Sequence, residues 1–387
     1  VPRFLSKNAN LLKAAFALAG TTIGAGIFGM PYVTAKVGLP LGLGYLLILG
    51  LLTLIVNLAY GEVILRTRGD HQFTGYAQKY LGSTGKWVAS LVLTASLYGS
   101  LLAYLVKTGE FLSLLFPQWL TPSQATLIFF TLAAWTIFYG LKTVSVVESY
   151  LTVALVGFLF FLILICSVKI DPLNWITNTN FDYFFLPYGL FIFSLAGSLV
   201  IPEMEEILRQ EPQKLRTSII WGTLAPVFIY AGFIIAVVGV TGPLTSDDTI
   251  RGLAGFFSPP VVSLSAVIGL LAIATSFLTL GYVLREHFYR DFRLAKNSAW
   301  AMACAVPLGL FLLGANNFIL ILSLTGALAI GLQNGLILAM SLIAKKIGDK
   351  KPAYQINLND WVALTILLVF IGGMLYEVLN LLRPSSL

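Results

Sequence analysis

The chain has 387 residues, of which 58% are hydrophobic and only 11% charged, with a net charge of +7 and a mean hydropathy of +0.88. A water-soluble globular chain carries roughly 25% charged residues, so a soluble domain of this length is excluded. The basic residues are scattered over short segments, which argues against a nucleic-acid-binding face, and Cys166 and Cys304 lie in apolar runs with neither disulfide-framework nor metal-ligand spacing.

Charge-free runs of 18 or more residues mark membrane-spanning helices. In chain order they are 14–35, 38–61, 87–106, 111–141, 149–168, 183–202, 217–246, 252–284 and 297–344. Pro117 and Pro122 move the start of the fourth span to about residue 122. The last run is too long for one crossing and divides at Gly314-Ala315-Asn316-Asn317. A final stretch, 358–382, carries only Asp360 and Glu377 near its ends. Eleven spans are therefore expected, in one transmembrane domain over 8–387. The first apolar stretch lacks a signal peptide's short core and cleavage site and reads as a mature span.

Lys and Arg are retained on the cytoplasmic side. With the N-terminus inside, nineteen basic residues fall in inner segments, and five (Lys36, Lys107, Lys169, Arg251 and Arg383) fall outside. This predicts a multi-pass protein of the plasma membrane with a cytoplasmic N-terminus and an external C-terminus. His71 and His287 are expected as solvated residues of inner loops. Phe73, Tyr76, Ala77 and Tyr80 share one face of a short helix over 72–81, predicted to lie at the inner leaflet. Residues 243–258 form the longest outer connection, either a partial lid or a surface loop.

Two interruptions stand out. Ala25-Gly26 followed by Pro31, and Ala196-Gly197 followed by Pro202, repeat one pattern at mid-span in two halves of the chain. Gly and Pro there cost backbone hydrogen bonds that lipid cannot replace. Paired interruptions of this kind point to the binding site of a secondary transporter. They are 171 residues and five spans apart, and an odd number of spans makes the second unit inverted. The expected fold is all-α, with inverted repeats over 10–168 and 184–344 and an extra helix over 358–382.

The segment Gly20-Thr21-Thr22-Ile23-Gly24-Ala25-Gly26-Ile27-Phe28-Gly29-Met30-Pro31-Tyr32 resembles the first-helix signature of amino acid permeases. The span count, the Glu62-to-Arg68 end of the second span and Thr275-Ser276-Phe277-Leu278 are similar to the hydroxy/aromatic amino acid permeases and the amino acid/auxin permeases, within the amino acid–polyamine–organocation superfamily. The resemblance implies a five-plus-five fold of the leucine-transporter type. It also implies symport of neutral L-amino acids, aromatic or hydroxylated ones among them.

An amino acid brings a carboxylate and an ammonium, and broken helices offer partners for both. Amides freed at Gly24–Gly26, at the positive end of the following half-helix, suit the carboxylate. Carbonyls and hydroxyls around Ser194–Ser198 suit the ammonium. The candidate substrate-binding residues are Thr21, Thr22, Gly24, Ala25 and Gly26 at the first break and Phe193, Ser194, Ala196 and Gly197 at the second. Tyr98 and Tyr104 join them because the third span faces the site in the resembled fold. The competing reading makes the glycines packing residues between crossed helices.

In the eighth span, the Ala272 carbonyl and the Thr275 and Ser276 hydroxyls lie one turn apart on one face. With the Gly20 and Ile23 carbonyls they complete an oxygen cage resembling a sodium site. The alternatives are hydroxyls merely bonding their own helix, or coupling to protons. Residues 149–168 hold no Lys or Arg to replace the cation. Among the acids, Glu62 pairs with Arg66 and Glu110 with Lys107 at helical spacing, and Glu203 follows the second break. No prosthetic cofactor is expected, and the partners are the amino acid and the bilayer, with a monomer or weak oligomer as the assembly. The spans lack the charged rings of a channel and the paired acids or nucleophile–base groups of an enzyme. A sensor that binds amino acid without moving it stays open.

Overall fold

The computed structural model describes residues 8–139, 144–176 and 179–382, with side chains of the sixth helix described from residue 153 onward. Arg3, Lys7, Lys142 and Arg383, part of the charge asymmetry, lie outside these residues. Every regular element among them is helical. The helices are α1 Ala9–Thr22, α2 Met30–Val37, α3 Leu39–Arg66, α4 Phe73–Leu115, α5 Pro122–Tyr139, α6 Val144–Ser167, α7 Leu186–Ser194, α8 Ile201–Ile207, α9 Leu215–Thr241, α10 Thr249–Leu253, α11 Pro259–Arg290, α12 Lys296–Leu312, α13 Phe318–Leu324, α14 Gly331–Ile347 and α15 Asp360–Leu382.

Seven segments are long and apolar enough to cross a membrane: Leu39–Arg66, Phe73–Leu115, Leu186–Ile207, Pro212–Leu244, Pro259–Arg290, Phe318–Ile347 and Asp360–Leu382. The other four stretches where spans are expected hold α1 with α2, α5, α6 and α12; α1 and α2 are short and broken apart, and α6 is described with side chains only from residue 153.

Both interruptions form, and they form alike. After α1, Ile23 and Gly24 are extended, Ala25–Phe28 make a 3₁₀ turn, and α2 begins with Pro31 in its first turn. After α7, Leu195 to Gly197 leave the helix, Ser198–Val200 make a 3₁₀ turn, and α8 begins with Pro202 in its first turn. Proline lacks an amide where a helix start has no acceptor for one, so it sets the restart of each half-helix at no hydrogen-bond cost. The two alike breaks stand where a five-plus-five repeat expects them, with α15 following the second half.

Two expectations change in detail and a third holds. The helix over 72–81 forms as the first part of α4, which bends at Gly82, a residue in the left-handed region (φ +72°). Its apolar face is not laid on the leaflet, however. Phe73, Tyr76, Ala77 and Tyr80 are buried against protein, with Tyr76 edge-on to Tyr60 and the Tyr80 hydroxyl 2.7 Å from that of Thr67. His287 is not a loop residue: α11 runs on past the charge-free stretch and buries it, with Nε2 3.0 Å from Ser90 Oγ and Nδ1 2.7 Å from Asp291. The 48-residue run splits where expected, with Gly314 left-handed and Asn317 capping α13 by accepting from the Leu320 amide.

Between α13 and α14 the chain widens into a π-helical turn, Thr325–Ile330. Here α7 and the π turn meet backbone to backbone. A Cβ on Gly189 would overlap the Ser323 carbonyl, and one on Gly326 would overlap that of Gly189. Neither backbone can yield, so Gly189→Ala should destabilise the folded protein by about 1–3 kcal/mol, the usual cost of overpacking. A thermal unfolding midpoint for the variant equal to the wild type would show that the contact is looser than this.

Candidate functional site

The two breaks are in direct contact. A Cβ on Gly26 would overlap the Ser194 side chain, and one on Gly197 would overlap the Thr22 hydroxyl and Leu18. Each break therefore presses its glycine onto the residue that ends the opposite half-helix, so the two contacts are reciprocal. At these two positions the glycines serve packing, since the space a Cβ would take is filled by protein. Gly24 differs, since a Cβ there would meet only the Tyr104 hydroxyl, 3.1 Å away.

A residue absent from the sequence-based set ties the breaks together. Tyr230 of α9 is fully buried, and its hydroxyl lies 2.8 Å from the Thr22 carbonyl and 3.0 Å from the Ser194 carbonyl. These are carbonyls whose helical acceptor role ends where the helices break. The signal for Tyr230 was a solitary mid-span tyrosine, whose hydroxyl needs a polar partner when buried. Nothing in the sequence distinguished it from the other tyrosines.

Among the remaining candidates, Tyr104 is buried and faces Gly24, while Tyr98 turns away and donates to the Met302 carbonyl of α12 at 2.9 Å. Tyr98 is thus a link between helices, because six residues of helix set it about 120° around α4 from Tyr104. Thr21 is exposed and donates to its own helix at Ala17, whereas Thr22 is buried and donates to Leu18. Phe193 and Ser194 are buried at the end of α7, with Ser194 Oγ donating to Leu190, and Ala196 is half-buried. Ser198, at the restart of the second broken span, accepts from the buried Gln333 amide at 2.8 Å.

A cleft opens at the first break. Its walls are Ile23, Gly24, Ala25 and Phe28, Leu155 of α6, and Ala272, Ile273, Thr275 and Ser276 of α11. The cleft encloses about 10 Å³, room for about one water molecule or small ion. Four of the five sodium candidates meet here, and Gly20 lies a turn earlier in α1, off the wall. The Ser276 hydroxyl donates to the Ala272 carbonyl at 3.0 Å, and that of Thr275 is 3.0 Å from both Leu271 and Ala272 carbonyls. Both hydroxyls thus spend their proton on their own helix and keep oxygen lone pairs that a cation can use.

The tryptophan/tyrosine permease family model matches residues 7–378. The chain belongs to the tryptophan/tyrosine permease family. It is 24% identical over 369 residues to glutamine transporter 2 of Aliivibrio fischeri, covering 92% of this chain and 94% of that protein. It is 29% identical over 288 residues to tyrosine-specific transport system 1 of Haemophilus influenzae, covering 70% of each. The fold matches the inward-facing conformation of Mhp1, a transporter of the leucine-transporter fold, with a TM-score of 0.63 at 16% identity over 96% of this chain and 89% of that one. This is a membrane permease for amino acids, not an enzyme.

In this permease the end of the site expected to face outward is closed. Phe28 and Phe111 meet edge to face at 5.3 Å, and the Thr249 hydroxyl of α10 donates to the Phe28 carbonyl. Lys107, fully buried, is held by Glu110 at 2.7 Å and Asp248 at 3.2 Å and lies over the rings of Phe111 and Phe318. The Lys107–Glu110 pair forms as expected, and Asp248 adds the connection over 243–258 to it. That connection is folded onto the site as a lid. At the opposite end Glu62 accepts from Arg66 and from the Ile356 amide, so it clamps the segment between α14 and α15. Asp349 of that segment is held by the Lys79 ammonium and the Arg68 amide, which keep its carboxyl below the ordinary carboxylate range. A depressed carboxyl contributes its contact above its unfolded value and loses it as pH falls through the folded one, so this clasp holds at neutral pH.

Tyr230→Phe removes one hydroxyl without changing shape. It leaves the Thr22 and Ser194 carbonyls without that donor, at a cost of about 1–3 kcal/mol for a buried group left unpaired. The variant should insert normally but unfold at lower temperature and bind substrate more weakly than the wild type, as read by thermal-shift and equilibrium binding assays. Unchanged midpoint and affinity together would remove Tyr230 from the site.

Proposed function

We propose that the chain is a symporter for neutral L-amino acids, aromatic and hydroxylated ones included, that works by alternating access about the two breaks. The observation that carries this reading is the convergence of both broken spans on Tyr230, with no charged side chain among the residues lining the adjoining cleft. A ligand recognised there meets its carboxylate partners in backbone amides at Gly24 and Ala25 and in the Tyr104 hydroxyl, and its ammonium partners in the carbonyls at Thr22 and Ser194. Neutral side chains agree with the names of the relatives, a glutamine transporter and a tyrosine-specific system. The cleft is too small for an amino acid, so substrate entry requires the lid or the opposite clamp to part.

Sodium is the proposed coupling ion, held by Ile23, Ala272, Thr275 and Ser276, with Gly20 a turn away. Leu155, and not a basic residue, is what α6 presents to this cleft, which leaves the position of positive charge to a cation. Protons are the alternative driving ion. The proposed setting is the plasma membrane, with the N-terminus cytoplasmic and the C-terminus outside.

Counterflow of labelled tyrosine, tryptophan and glutamine in proteoliposomes tests carriage. Exchange of at least one of them is expected, while saturable binding without exchange would make the protein a sensor. An inward sodium gradient should drive accumulation. Thr275→Ala with Ser276→Ala should raise the sodium concentration for half-maximal uptake at least about tenfold, since a charge-assisted contact is worth about 1.5–3 kcal/mol and 1.4 kcal/mol is tenfold. Full accumulation in sodium-free medium under a proton gradient would transfer the coupling to protons.

A further inference from the structure

Three acids among the described residues are buried, and their surroundings differ. Glu62 (1% exposed) is paired with Arg66, and Asp248 (9%) with Lys107, but Glu377 of α15 (4%) has neither an ion pair nor a hydrogen bond among the described residues. It lies in an apolar spanning segment, where an ionisable side chain without a partner is costly to keep charged.

Its neighbours define what it touches. Phe370, Gly373 and Glu377 follow one another at helical spacing on one face of α15, all buried. That face receives α7, the first half of the second broken span. A Cβ on Gly373 would overlap the Tyr188 ring, the Tyr188 hydroxyl reaches the Val369 and Phe370 carbonyls at 3.4 Å, and Phe185 stacks on Tyr376 at 4.2 Å. Among the described residues the titratable groups nearby are all tyrosines: Tyr188 of α7, Tyr376 of α15 and Tyr45 of α3. The basic residues of the packed elements are engaged elsewhere. Lys345 of α14 donates to the Ile356 and Leu358 carbonyls beside the start of α15, with Lys346 next to it, and Asp360 sits at that same far end. Lys36 of α2 stands over the rings of Tyr32 and Tyr183.

We infer that Glu377 is a proton-binding site of this permease, protonated while α7 and α15 are packed together and exposed to water when they part. A neutral carboxyl costs less to keep in this seam than an ionised one without a partner. Separation of α7 from α15 lets the carboxyl hydrate and release its proton, so the packed arrangement binds one more proton than the open one. By linkage, alkaline pH favours the open arrangement, and a substrate bound preferentially by the packed one loses affinity as pH rises. The inference rests on the alternating-access reading only in that α7 moves during the cycle, and it holds whichever ion occupies the cleft at α11.

The test uses the full chain in proteoliposomes. Labelled tyrosine or glutamine, whichever exchanges, is bound at a series of pH values at fixed sodium. Wild-type affinity should fall on the alkaline side by up to about tenfold per pH unit, the limit for one linked proton. Glu377→Gln, which mimics the neutral acid, should match wild-type affinity at acidic pH and lose the alkaline decline. Arg383→Gln, at a residue beyond the described chain, should keep the decline. An unchanged pH profile in Glu377→Gln overturns the proposal, and so does loss of the decline in Arg383→Gln, which would make an ion pair the titrating unit. If Glu377→Gln fails to insert, infrared difference spectra of the wild type decide. A carboxylic-acid carbonyl band that changes on substrate addition supports the site, and its absence rejects it. Substrate binding without exchange would reject the transport reading while leaving these pH readouts intact.

Discussion

A helix interrupted at membrane depth strands carbonyl oxygens where lipid offers no donor, and this permease interrupts two. The Tyr230 hydroxyl lies within donating distance of both, between the Thr22 and Ser194 carbonyls. A phenol has a single proton, so two acceptors compete for it. One carbonyl at a time is left for another donor, which the ammonium of an amino acid can supply. The same hydroxyl also joins α1, α7 and α9 into one body, and the glycine contacts at Gly26 and Gly197 hold that body in register. Gly222 adds to it by letting α9 approach the backbone of α1 at Ala15. The site is therefore a consequence of how the breaks are satisfied.

Charge in the interior follows a related economy. Lys107 is buried because two acids and two aromatic faces replace its water. The acids come from different elements, so the pair at Asp248 carries mechanical information: it exists only while the lid lies on α4. Glu62 plays a comparable part at the other end, where its carboxylate joins α3 to the segment before α15. Under the alternating-access reading proposed above, both contacts are ones that a moving gate would break. Their loss would expose charged groups to water, which suits them, and this keeps the cost of opening moderate.

The cleft at Ile23, Ala272, Thr275 and Ser276 illustrates how one geometry serves two readings. Hydroxyls that bond their own helix satisfy their protons, yet the same bonds fix the direction of their lone pairs. Back-bonding is thus no argument against cation binding. It orients the oxygens ahead of any ion, which lowers the ordering needed on binding.

Composition, hydropathy runs and the paired Gly/Pro interruptions were enough, by themselves, for an all-helical membrane protein with an inverted repeat and breaks in its first and sixth spans. These are local properties: a Pro or Gly acts on its own helix wherever that helix is packed. The break at Gly314–Asn317 and the pairing of Glu62 with Arg66 were legible for the same reason, since their partners lie within a turn or two. Which side chains face the site was decided only by tertiary structure. Tyr98 and Tyr104 are six residues apart on one helix, and helical rotation sends one to Met302 and the other to Gly24. Tyr230 depends on carbonyls 208 and 36 residues distant, and Asp248 finds Lys107 only when the lid folds back. No pattern in a single sequence reports which of sixteen tyrosines will meet a stranded carbonyl, because that meeting depends on the crossing of helices far apart in the chain.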